Sequence, residues 1–269
     1  MTALVDAHLH LQFPELLGDA DALVKRAQDA GVTAMVCNGT MPADWPLVAD
    51  LARRHPCIVP CFGVHPWYVA QAGVGWEDEL ARHLDAMPSA VGEIGIDRWI
   101  EPRDEALQER VFRRQLAIAR ERHLPAMIHC LRAWDWLMQI LDSEPPLSAG
   151  MLIHAYGGSV EMIHPLTERG AFFSFTGTTL EPKRQKLRDA LRAVPQDRLL
   201  AETDAPSMLP PESMRVQPPT CRVVPTPNEP ANLPLIVRAM AAERGEDEME
   251  LRQAMSQNAS RLLGALLHG

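Results

Sequence analysis

Eight short apolar runs alternate with amphipathic helical patterns along this 269-residue chain. Continuous apolar runs bounded by polar residues, glycine or proline are typical of strands that are buried on both faces. The predicted strands are Ala3–His8, Val32–Asn38, Cys57–Gly63, Ala90–Glu93, Pro125–Cys130, Gly150–His154, Ala171–Thr176 and Arg198–Glu202. The predicted helices are Asp19–Ala30, Ala43–His55, Trp76–Ala86, Asp104–Arg122, Arg132–Ser143, Ser159–Glu168, Pro182–Val194 and Ala231–Arg244. Strands that are separated by helices form a parallel sheet, because a parallel neighbour is reached only by a crossover connection.

Two architectures fit this alternation, a doubly wound open sheet and a closed barrel. In an open sheet the functional side chains gather near one switch point. In a barrel they project from the C-terminal ends of many strands toward one central point. Polar residues end the predicted strands one, three, four, five, six and eight. This distribution favours a TIM (β/α)8 barrel formed as a single domain by residues 1–269.

The composition limits the partners of such a barrel. A net charge of −9 provides no global attraction to nucleic acid, so a polyanionic substrate needs local cations or bound metal. The five cysteines are odd in number and irregularly spaced, which indicates reduced thiols; they are Cys37, Cys57, Cys61, Cys130 and Cys221. No stretch approaches the roughly 20 apolar residues of a membrane span, and no signal-peptide pattern opens the chain. We therefore expect a cytoplasmic protein with no membrane partner; a monomer is compatible with the sequence, which predicts no oligomeric state.

Two later segments depart from the alternation. The segment Ala205–Pro234 holds nine of the 23 prolines, which excludes a continuous helix. Because it follows the last strand, we expect it to lie over the top of the barrel as a lid or substrate wall. The tail, Asp247–Leu267, is predicted to form two short helices that close the opposite surface.

The first polar cluster is Asp6-Ala-His8-Leu-His10. Residues two apart on an extended strand share a face, so both imidazoles can point at one ion. Imidazole nitrogen is a common ligand of zinc and similar metals. Asp6 is placed to orient the metal ligands without binding the ion itself. Alone, this motif is also compatible with a histidine-rich strand end that binds nothing.

Three more polar residues interrupt apolar runs. Glu93 is costly to bury unpaired, and a metal ion removes that cost. A carboxylate can also bridge two ions, which an imidazole cannot. His129 and His154 are the first polar residues after two consecutive apolar strands. A single histidine or glutamate in such a place is more often a hydrogen-bonded core residue, but matching positions on neighbouring strands favour ligands.

The last predicted strand leads to Glu202 and Asp204, which share a face by the same period of two. Either carboxylate could orient a metal-bound water or take its proton. His65 ends the third strand without an obvious second partner, and we interpret it as a substrate contact.

Four histidines and two carboxylates at the same ends of five strands predict a metal centre. The ligand set is His8, His10, Glu93, His129, His154 and Asp204. Mixed nitrogen and oxygen ligands suit zinc, manganese or magnesium. An open position on the metal would lower the pKa of bound water and create a hydroxide nucleophile, which predicts a hydrolase.

These motifs resemble those of the TatD-like metal-dependent hydrolases, the TatD family deoxyribonucleases within the amidohydrolase-like TIM barrels. The resemblance covers nearly the whole chain in order: D-A-H-L-H at 6–10, G-V-H-P at 63–66, G-E-I-G-I-D at 92–97, I-H at 128–129, I-H-A-Y-G-G at 153–158, E-T-D-A-P at 202–206, N-E-P at 228–230 and N-A-S-R-L-L at 258–263.

The resemblance implies a distribution of roles. His8, His10 and Asp204 would hold one divalent ion, His129 and His154 a second, and Glu93 would bridge them. Asp204 would also steer the attacking water, and His65 would contact the substrate phosphate. The implied reaction is phosphodiester hydrolysis of DNA from the 3′ end, with two divalent ions (Mg²⁺, Mn²⁺ or Zn²⁺).

Three positions that border the substrate depart from the family pattern. Arg132 stands one place later than the arginine of the usual His-x-Arg, and Ala-Tyr-Gly-Gly follows His154 instead of a Cys-Phe-Ser-Gly type. Arg98-Trp99 follows Asp97, where paired aromatics are usual. Two alternatives to a deoxyribonuclease remain at this point: a metal-dependent hydrolase of a carboxylic ester, lactone or amide, and a non-catalytic regulatory barrel that binds metal.

Overall fold

The computed structural model describes residues 3–216 and 226–268, which contain eight parallel strands connected through helices. The strands are β1 Leu4–Leu9, β2 Val32–Asn38, β3 Ile58–Phe62, β4 Ala90–Asp97, β5 Ala126–Leu131, β6 Met151–Ile153, β7 Ala171–Phe175 and β8 Leu199–Ala201. The helices are α1 Pro14–Leu17, α2 Ala20–Asp29, α3 Trp45–Arg54, α4 Trp76–Ala86, α5 Glu105–Glu121, α6 Trp134–Ser143, α7 Ile163–Glu168, α8 Gln185–Ala193, α9 Leu233–Arg244 and α10 Glu248–Leu263.

Each strand pairs in parallel with the next strand along the chain, from β1 to β8. Hydrogen bonds between the two ends of the chain then join β8 to β1. The Asp204 amide donates to the His8 carbonyl at 2.9 Å, and the His10 amide donates to the Ala205 carbonyl at 2.8 Å. The Asp6 carboxylate, buried below them, accepts the Thr203 amide and hydroxyl at 2.9 and 2.6 Å. We call this junction the β1–β8 seam, and it confirms the predicted TIM (β/α)8 barrel.

Small and medium apolar side chains fill the barrel near the N-terminal ends of its strands. The set comprises Val5, Ala7, Ala34, Val36, Val59, Cys61, Ala90, Met127, Leu152, Phe172 and Leu200. Helix α10 closes this end, because its Ala259, Leu262 and Leu263 belong to the same buried cluster. The predicted closure of the opposite surface is therefore confirmed, but the two predicted short helices are one 16-residue α-helix followed by a 3-10 helix at Gly264–His268. Residues 248–263 form one continuous helix, since no glycine or proline interrupts it before Gly264.

Strand β4 extends to Asp97, four residues beyond the predicted end. In the sequence its glycines indicate the end of a strand, whereas in the fold they allow β4 to approach β5 closely. Gly95 has a φ of +150°, and a Cβ atom there would lie 2.0 Å from the His129 carbonyl oxygen. Only glycine fits at that distance. The close contact keeps β4 beside β5 as far as Asp97 and brings Glu93 next to His129.

The helix predictions differ from the structure at two short elements. Helix α1 has four residues, too few to produce a detectable hydrophobic period. The predicted helix Ser159–Glu168 begins as a 3-10 turn at Val160–Met162 and becomes α-helical only at Ile163. The Asp104 side chain caps α5 by accepting the Leu107 amide at 2.9 Å.

The compositional predictions can be compared with the described residues. Cys37, Cys57, Cys61 and Cys130 are free thiols, whereas Cys221 lies outside the described residues. Across residues 3–216 and 226–268, we find no helix with the length and apolar character that a bilayer crossing requires. The part of the predicted lid at 217–225 also lies outside the described residues.

Candidate metal centre

The structure brings all seven predicted site residues to the C-terminal end of the barrel, around Glu93. Their side chains are almost completely withdrawn from solvent, His129 being the most accessible at 13%. A cavity of about 230 Å³ opens onto them. It is lined by His10, His65, Glu93, His129, His154 and Asp204, together with the side chains of the surrounding loops.

One group of ligand atoms comes from the ends of β1 and β8 together with Glu93 of β4. The Nε2 atoms of His8 and His10 lie 3.1 Å apart, and each lies 3.3 Å from Oε2 of Glu93. Oδ1 of Asp204 lies 3.8 Å from the His8 nitrogen and 3.6 Å from the His10 nitrogen. Two imidazoles and two carboxylates thus converge on one point.

A second group forms on the other side of Glu93. Its Oε1 lies 3.0 Å from Nδ1 of His129 and 2.9 Å from Nε2 of His154. The two imidazole nitrogens lie 3.2 Å apart. The two oxygens of one carboxylate therefore face two separate groups of ligand atoms.

Both groups fit a divalent metal ion. Nitrogen and oxygen ligands that bind one ion at about 2.0–2.1 Å lie about 3 Å apart when their bonds are perpendicular. The measured separations of 2.9–3.3 Å within the imidazole–Glu93 sets match this spacing. The described residues therefore contain clusters that can hold metal.

Spacing alone also admits two other groups, His8–His154–Glu202 and His65–Glu93–His129. We favour the sets above because Glu202 and His65 have other hydrogen-bond partners. One oxygen of Glu202 accepts the Ala155 amide at 2.7 Å and the other accepts the Ser174 hydroxyl. Glu202 is fully buried, and only Asp204 of the pair lines the cavity among the described residues. From the sequence, either Glu202 or Asp204 could act on a metal-bound water. In the structure, Asp204 lines the cavity and Glu202 does not.

The second nitrogen of two imidazoles is held by a neighbouring acceptor, and that of a third faces a carboxylate. Nδ1 of His10 lies 2.8 Å from the Asn38 carbonyl oxygen, and Nε2 of His129 lies 2.9 Å from Oδ2 of Asp97. Nδ1 of His154 lies 3.5 Å from Oε1 of Glu202. Such partners orient metal-binding histidines and fix their tautomers. Asp97 was given no role from the sequence, although its position four residues after Glu93 on a strand indicates the same face.

His65 has a hydrogen-bond pattern that differs from those of the other histidines. Its Nδ1 accepts the Trp67 amide at 3.1 Å, while its Nε2 lies 3.3 Å from Oε1 of Glu93. Burial lowers the pKa of His65 to about 4, so the ring is neutral near neutral pH. A neutral ring that accepts at Nδ1 carries its proton on Nε2. His65 therefore directs an N–H donor toward Oε1 of Glu93, which also lines the cavity.

The charges of the cluster depend strongly on burial. Burial acts to raise the pKa of Glu93, but the surrounding imidazoles, His65 and His154 foremost, hold it well below its ordinary value. Burial raises the pKa of Asp204 to about 6 and lowers that of His8 to about 3. A neutral imidazole and an ionised carboxylate are the forms in which these groups bind metal.

Asn228, from the N-E-P motif, fixes the backbone beside Asp204. Its side-chain amide donates to the carbonyl oxygens of Thr203 and Met208 at 2.7 and 3.3 Å. Its oxygen accepts the side-chain amide of Asn232 at 2.8 Å. Asn228 is fully buried, and Asp204 itself has a left-handed backbone with φ of +55°. This conformation is unusual for a residue other than glycine, so it depends on the surrounding hydrogen bonds.

Replacing Asn228 by aspartate is expected to lower kcat for the reaction of this site about 100-fold, because a small displacement of a reacting group has an effect of that size. The substitution keeps the acceptor oxygen and removes the two donated hydrogen bonds. Steady-state kinetics and metal content check the result, with Asn232→Asp as a control one hydrogen bond further from Asp204. A purely structural role for Asn228 would lower the melting temperature and leave kcat of the folded protein unchanged.

Three aromatic side chains, Phe13, Trp67 and Tyr68, line the cavity beside the histidines. The ring of Phe13 stacks on His10, with centroids 4.6 Å apart and planes 9° from parallel. The indole nitrogen of Trp67 donates to Oδ2 of Asp97 at 2.7 Å. Met208 belongs to the proline-rich segment after β8, so the described part of that segment does form a wall of the cavity.

Comparison with known proteins identifies one family along the chain. Residues 5–264 match the family described as TatD related DNase. The chain is 35% identical over 268 residues to the 3′-5′ ssDNA/RNA exonuclease TatD of Erwinia tasmaniensis, covering 96% of this chain and 99% of that protein. It is 34% identical over 265 residues to the 3′-5′ ssDNA/RNA exonuclease TatD of Salmonella typhimurium, covering 96% and 98%.

Solved structures agree with the sequence comparisons. The TatD homologue YjjV of Escherichia coli superposes with a TM-score of 0.87 at 27% identity, covering 96% of this chain and 97% of that one. A TatD family hydrolase of Entamoeba histolytica superposes with a TM-score of 0.82 at 20% identity, covering 96% and 97%, which supports the fold.

Proposed function

Because the chain belongs to the family of TatD related DNases, we propose that it is a divalent-metal-dependent 3′–5′ deoxyribonuclease, which hydrolyses the phosphodiester bonds of DNA. The observation that carries this proposal is the position of the Glu93 carboxylate. Each of its two oxygens faces a different group of imidazole nitrogens. Such an arrangement suits a pair of ions, and paired ions are a common means of hydrolysing phosphodiesters.

In this proposal six residues hold the metals. His8, His10 and Asp204 would hold one ion, His129 and His154 would hold the other, and Glu93, whose oxygens face both groups, would serve both. The mixed nitrogen and oxygen donors suit Mg²⁺, Mn²⁺ or Zn²⁺. When bound, the ions would supply Lewis-acid chemistry, which favours ionisation of water and stabilises charge on phosphate oxygens.

Asp204 is the general base of the proposed reaction. Its carboxylate lines the cavity, whereas Glu202 lies behind His154. A carboxylate that accepts the proton of an attacking water contributes most when it is held in place, and the β1–β8 seam fixes the Asp204 backbone at 2.9 Å from the His8 carbonyl.

His65 binds the substrate in this proposal. Its Nε2, 3.3 Å from Oε1 of Glu93 in the cavity lining, would donate a hydrogen bond to a phosphate oxygen. The Trp67 amide holds the ring in that orientation through Nδ1. A donor placed next to the charge that develops on phosphorus stabilises the transition state more than the ground state.

The acidic character of the protein is compatible with a DNA substrate. The net charge of −9 opposes attraction of a polyanion over long distances. Bound divalent ions would place positive charge inside the cavity, and the aromatic walls formed by Phe13, Trp67 and Tyr68 offer surfaces for bases.

The proposal is tested with single-stranded DNA whose 3′ or 5′ end is blocked by phosphorothioate linkages. We expect the metal-loaded protein to degrade only the strand with an open 3′ end, to lose this activity with EDTA, and to regain it with Mg²⁺, Mn²⁺ or Zn²⁺. Carboxylic ester and lactone substrates serve as controls for the bond type. A metal-loaded protein that hydrolyses no DNA would contradict the proposal.

A further inference from the structure

Trp99 and Arg132 lie against each other in the structure. Both stand at positions where the sequence departs from the family pattern. The guanidinium carbon of Arg132 lies 4.1 Å from the centroid of the Trp99 ring. Trp99 follows the end of β4 and Arg132 follows the end of β5, so the pair joins two neighbouring loops at the catalytic end of the barrel. A guanidinium at this distance from an indole face is attracted by the ring quadrupole.

The Trp99–Arg132 pair contributes little to the hydrophobic core, because both side chains are exposed. Trp99 is 54% exposed, and Arg132 is also exposed. The carboxylates nearby are already engaged, because Arg98 and Arg103 both pair with Glu105. Within the described residues, Arg132 forms no ion pair, so its charge is available to a ligand.

The backbone of Arg132 adds a second, independent observation. Its φ is +56°, in the left-handed region that residues with a Cβ seldom adopt. Such conformations cost free energy and often occur at functional sites. The preceding residue, Leu131, lines the cavity, so the exposed Arg132 directly follows the cavity wall along the chain.

Contacts connect the pair to the proposed metal centre. The Trp99 amide donates to Oδ1 of Asp97, and Oδ2 of the same carboxylate lies 2.9 Å from Nε2 of His129. Trp67, in the cavity wall, donates to that oxygen as well. The Asp97 carboxylate therefore contacts Trp67 in the cavity wall, the backbone of Trp99 and the proposed ligand His129.

We propose that Trp99 and Arg132 form a subsite for single-stranded DNA just outside the metal cavity, an inference that rests on the proposed function. With the terminal nucleotide in the cavity, the remainder of the strand leaves through its mouth. The free face of Trp99 stacks a base of this departing strand, and Arg132 contacts a phosphate next to it. Aromatic stacking combined with a cation is a common basis for binding single strands without strong sequence preference.

The test compares two substrates that differ only in whether they reach this subsite. One is a single-stranded oligodeoxynucleotide, and the other is the p-nitrophenyl phosphodiester of thymidine, which has no strand beyond the cleaved bond. Trp99→Ala and Arg132→Ala are each expected to raise KM for the oligonucleotide about tenfold. Both variants are expected to hydrolyse the nitrophenyl ester like the parent, and Trp99→Phe is expected to recover most of the oligonucleotide affinity.

Matched controls lie on other faces of the barrel. Arg110→Ala removes an exposed arginine from α5, and Met249→Ala removes an exposed apolar side chain from α10, 56% accessible. Neither should change KM for the oligonucleotide. These variants separate a local subsite from a general loss of positive charge or apolar surface.

Unchanged oligonucleotide KM in both Trp99→Ala and Arg132→Ala overturns the subsite, and so does an equal loss toward both substrates. If the metal-loaded parent cleaves neither substrate, the proposed function fails. Fluorescence anisotropy of the labelled oligonucleotide then tests the subsite alone: weaker binding by Trp99→Ala supports it, and equal affinity for parent and variant overturns it.

Discussion

Replacing Glu93 by alanine is expected to abolish DNA hydrolysis, by about 10⁴-fold or more, and to remove most of the bound metal from a folded barrel. Glu93 is the residue whose two oxygens face both groups of imidazoles, at 2.9–3.3 Å. Without it, each group keeps its histidines but loses the carboxylate they share. Hydrolysis of single-stranded DNA and metal content measured by elemental analysis check the two parts of this result.

A control separates loss of the centre from loss of the fold. Glu105→Ala removes a glutamate that is paired with Arg98 on the surface and should leave both activity and metal content unchanged. Circular dichroism and thermal unfolding establish whether Glu93→Ala is folded. A folded Glu93→Ala protein with its full complement of metal would show that the bridging assignment is wrong.

Replacing Asp204 by asparagine is expected to lower kcat by about 10³-fold with little change in KM. The amide has nearly the same shape as the carboxylate but cannot take a proton from water. Metal content should fall less than in Glu93→Ala, because His8, His10 and Glu93 still supply donors at 3.1–3.3 Å from one another. Steady-state kinetics on single-stranded DNA, together with metal analysis, measure both quantities.

Glu202→Gln provides the comparison for Asp204→Asn. Glu202 lies behind His154 and accepts the Ala155 amide, so its replacement should act only by loosening a proposed ligand. We expect a loss of activity of about 10- to 100-fold, the usual range for a residue that orients a metal-binding histidine. A larger loss in Glu202→Gln than in Asp204→Asn would reverse the roles assigned to these two carboxylates.

The sequence predicted the barrel well because its strands are buried on both faces. Their apolar runs stand out against the amphipathic helices, and β2 begins and ends at the predicted residues. The ends of strands were less predictable where glycine permits close packing. Gly95 looks like a break in the sequence, yet it allows β4 to continue beside β5.

The site was predictable where its residues interrupt an apolar pattern. His129 and His154 each end such a run, and the structure brings them within 3.2 Å of each other. Asp97 and Asn228 were given no role: the glycines of β4 concealed that the strand continues to Asp97, and an amide in a proline-rich segment carries no periodic signal. Their importance depends on which backbone and imidazole atoms the fold brings to them.

The pairing of Trp99 with Arg132 illustrates a further limit. Each residue was noted as a departure from the family pattern, and nothing in the sequence indicates that the two are in contact. They are separated by the whole of α5 and come together only because β4 and β5 are neighbours in the barrel. Contacts between loops depend on the complete topology, so they are the last features that a single sequence can reveal.

The β1–β8 seam gives the metal centre a place in the assembly of the protein. Its hydrogen bond between Thr203 and Asp6 joins residues 197 positions apart, so the seam closes all eight strands of the barrel into one ring. His8 and His10 lie on one side of this junction and Asp204 on the other, so an ion held by all three would act as a clasp across it. Such a ligand stabilises only the closed ring, which couples metal affinity to barrel closure. Loss of metal would then first weaken the hydrogen bonds of the β1–β8 seam.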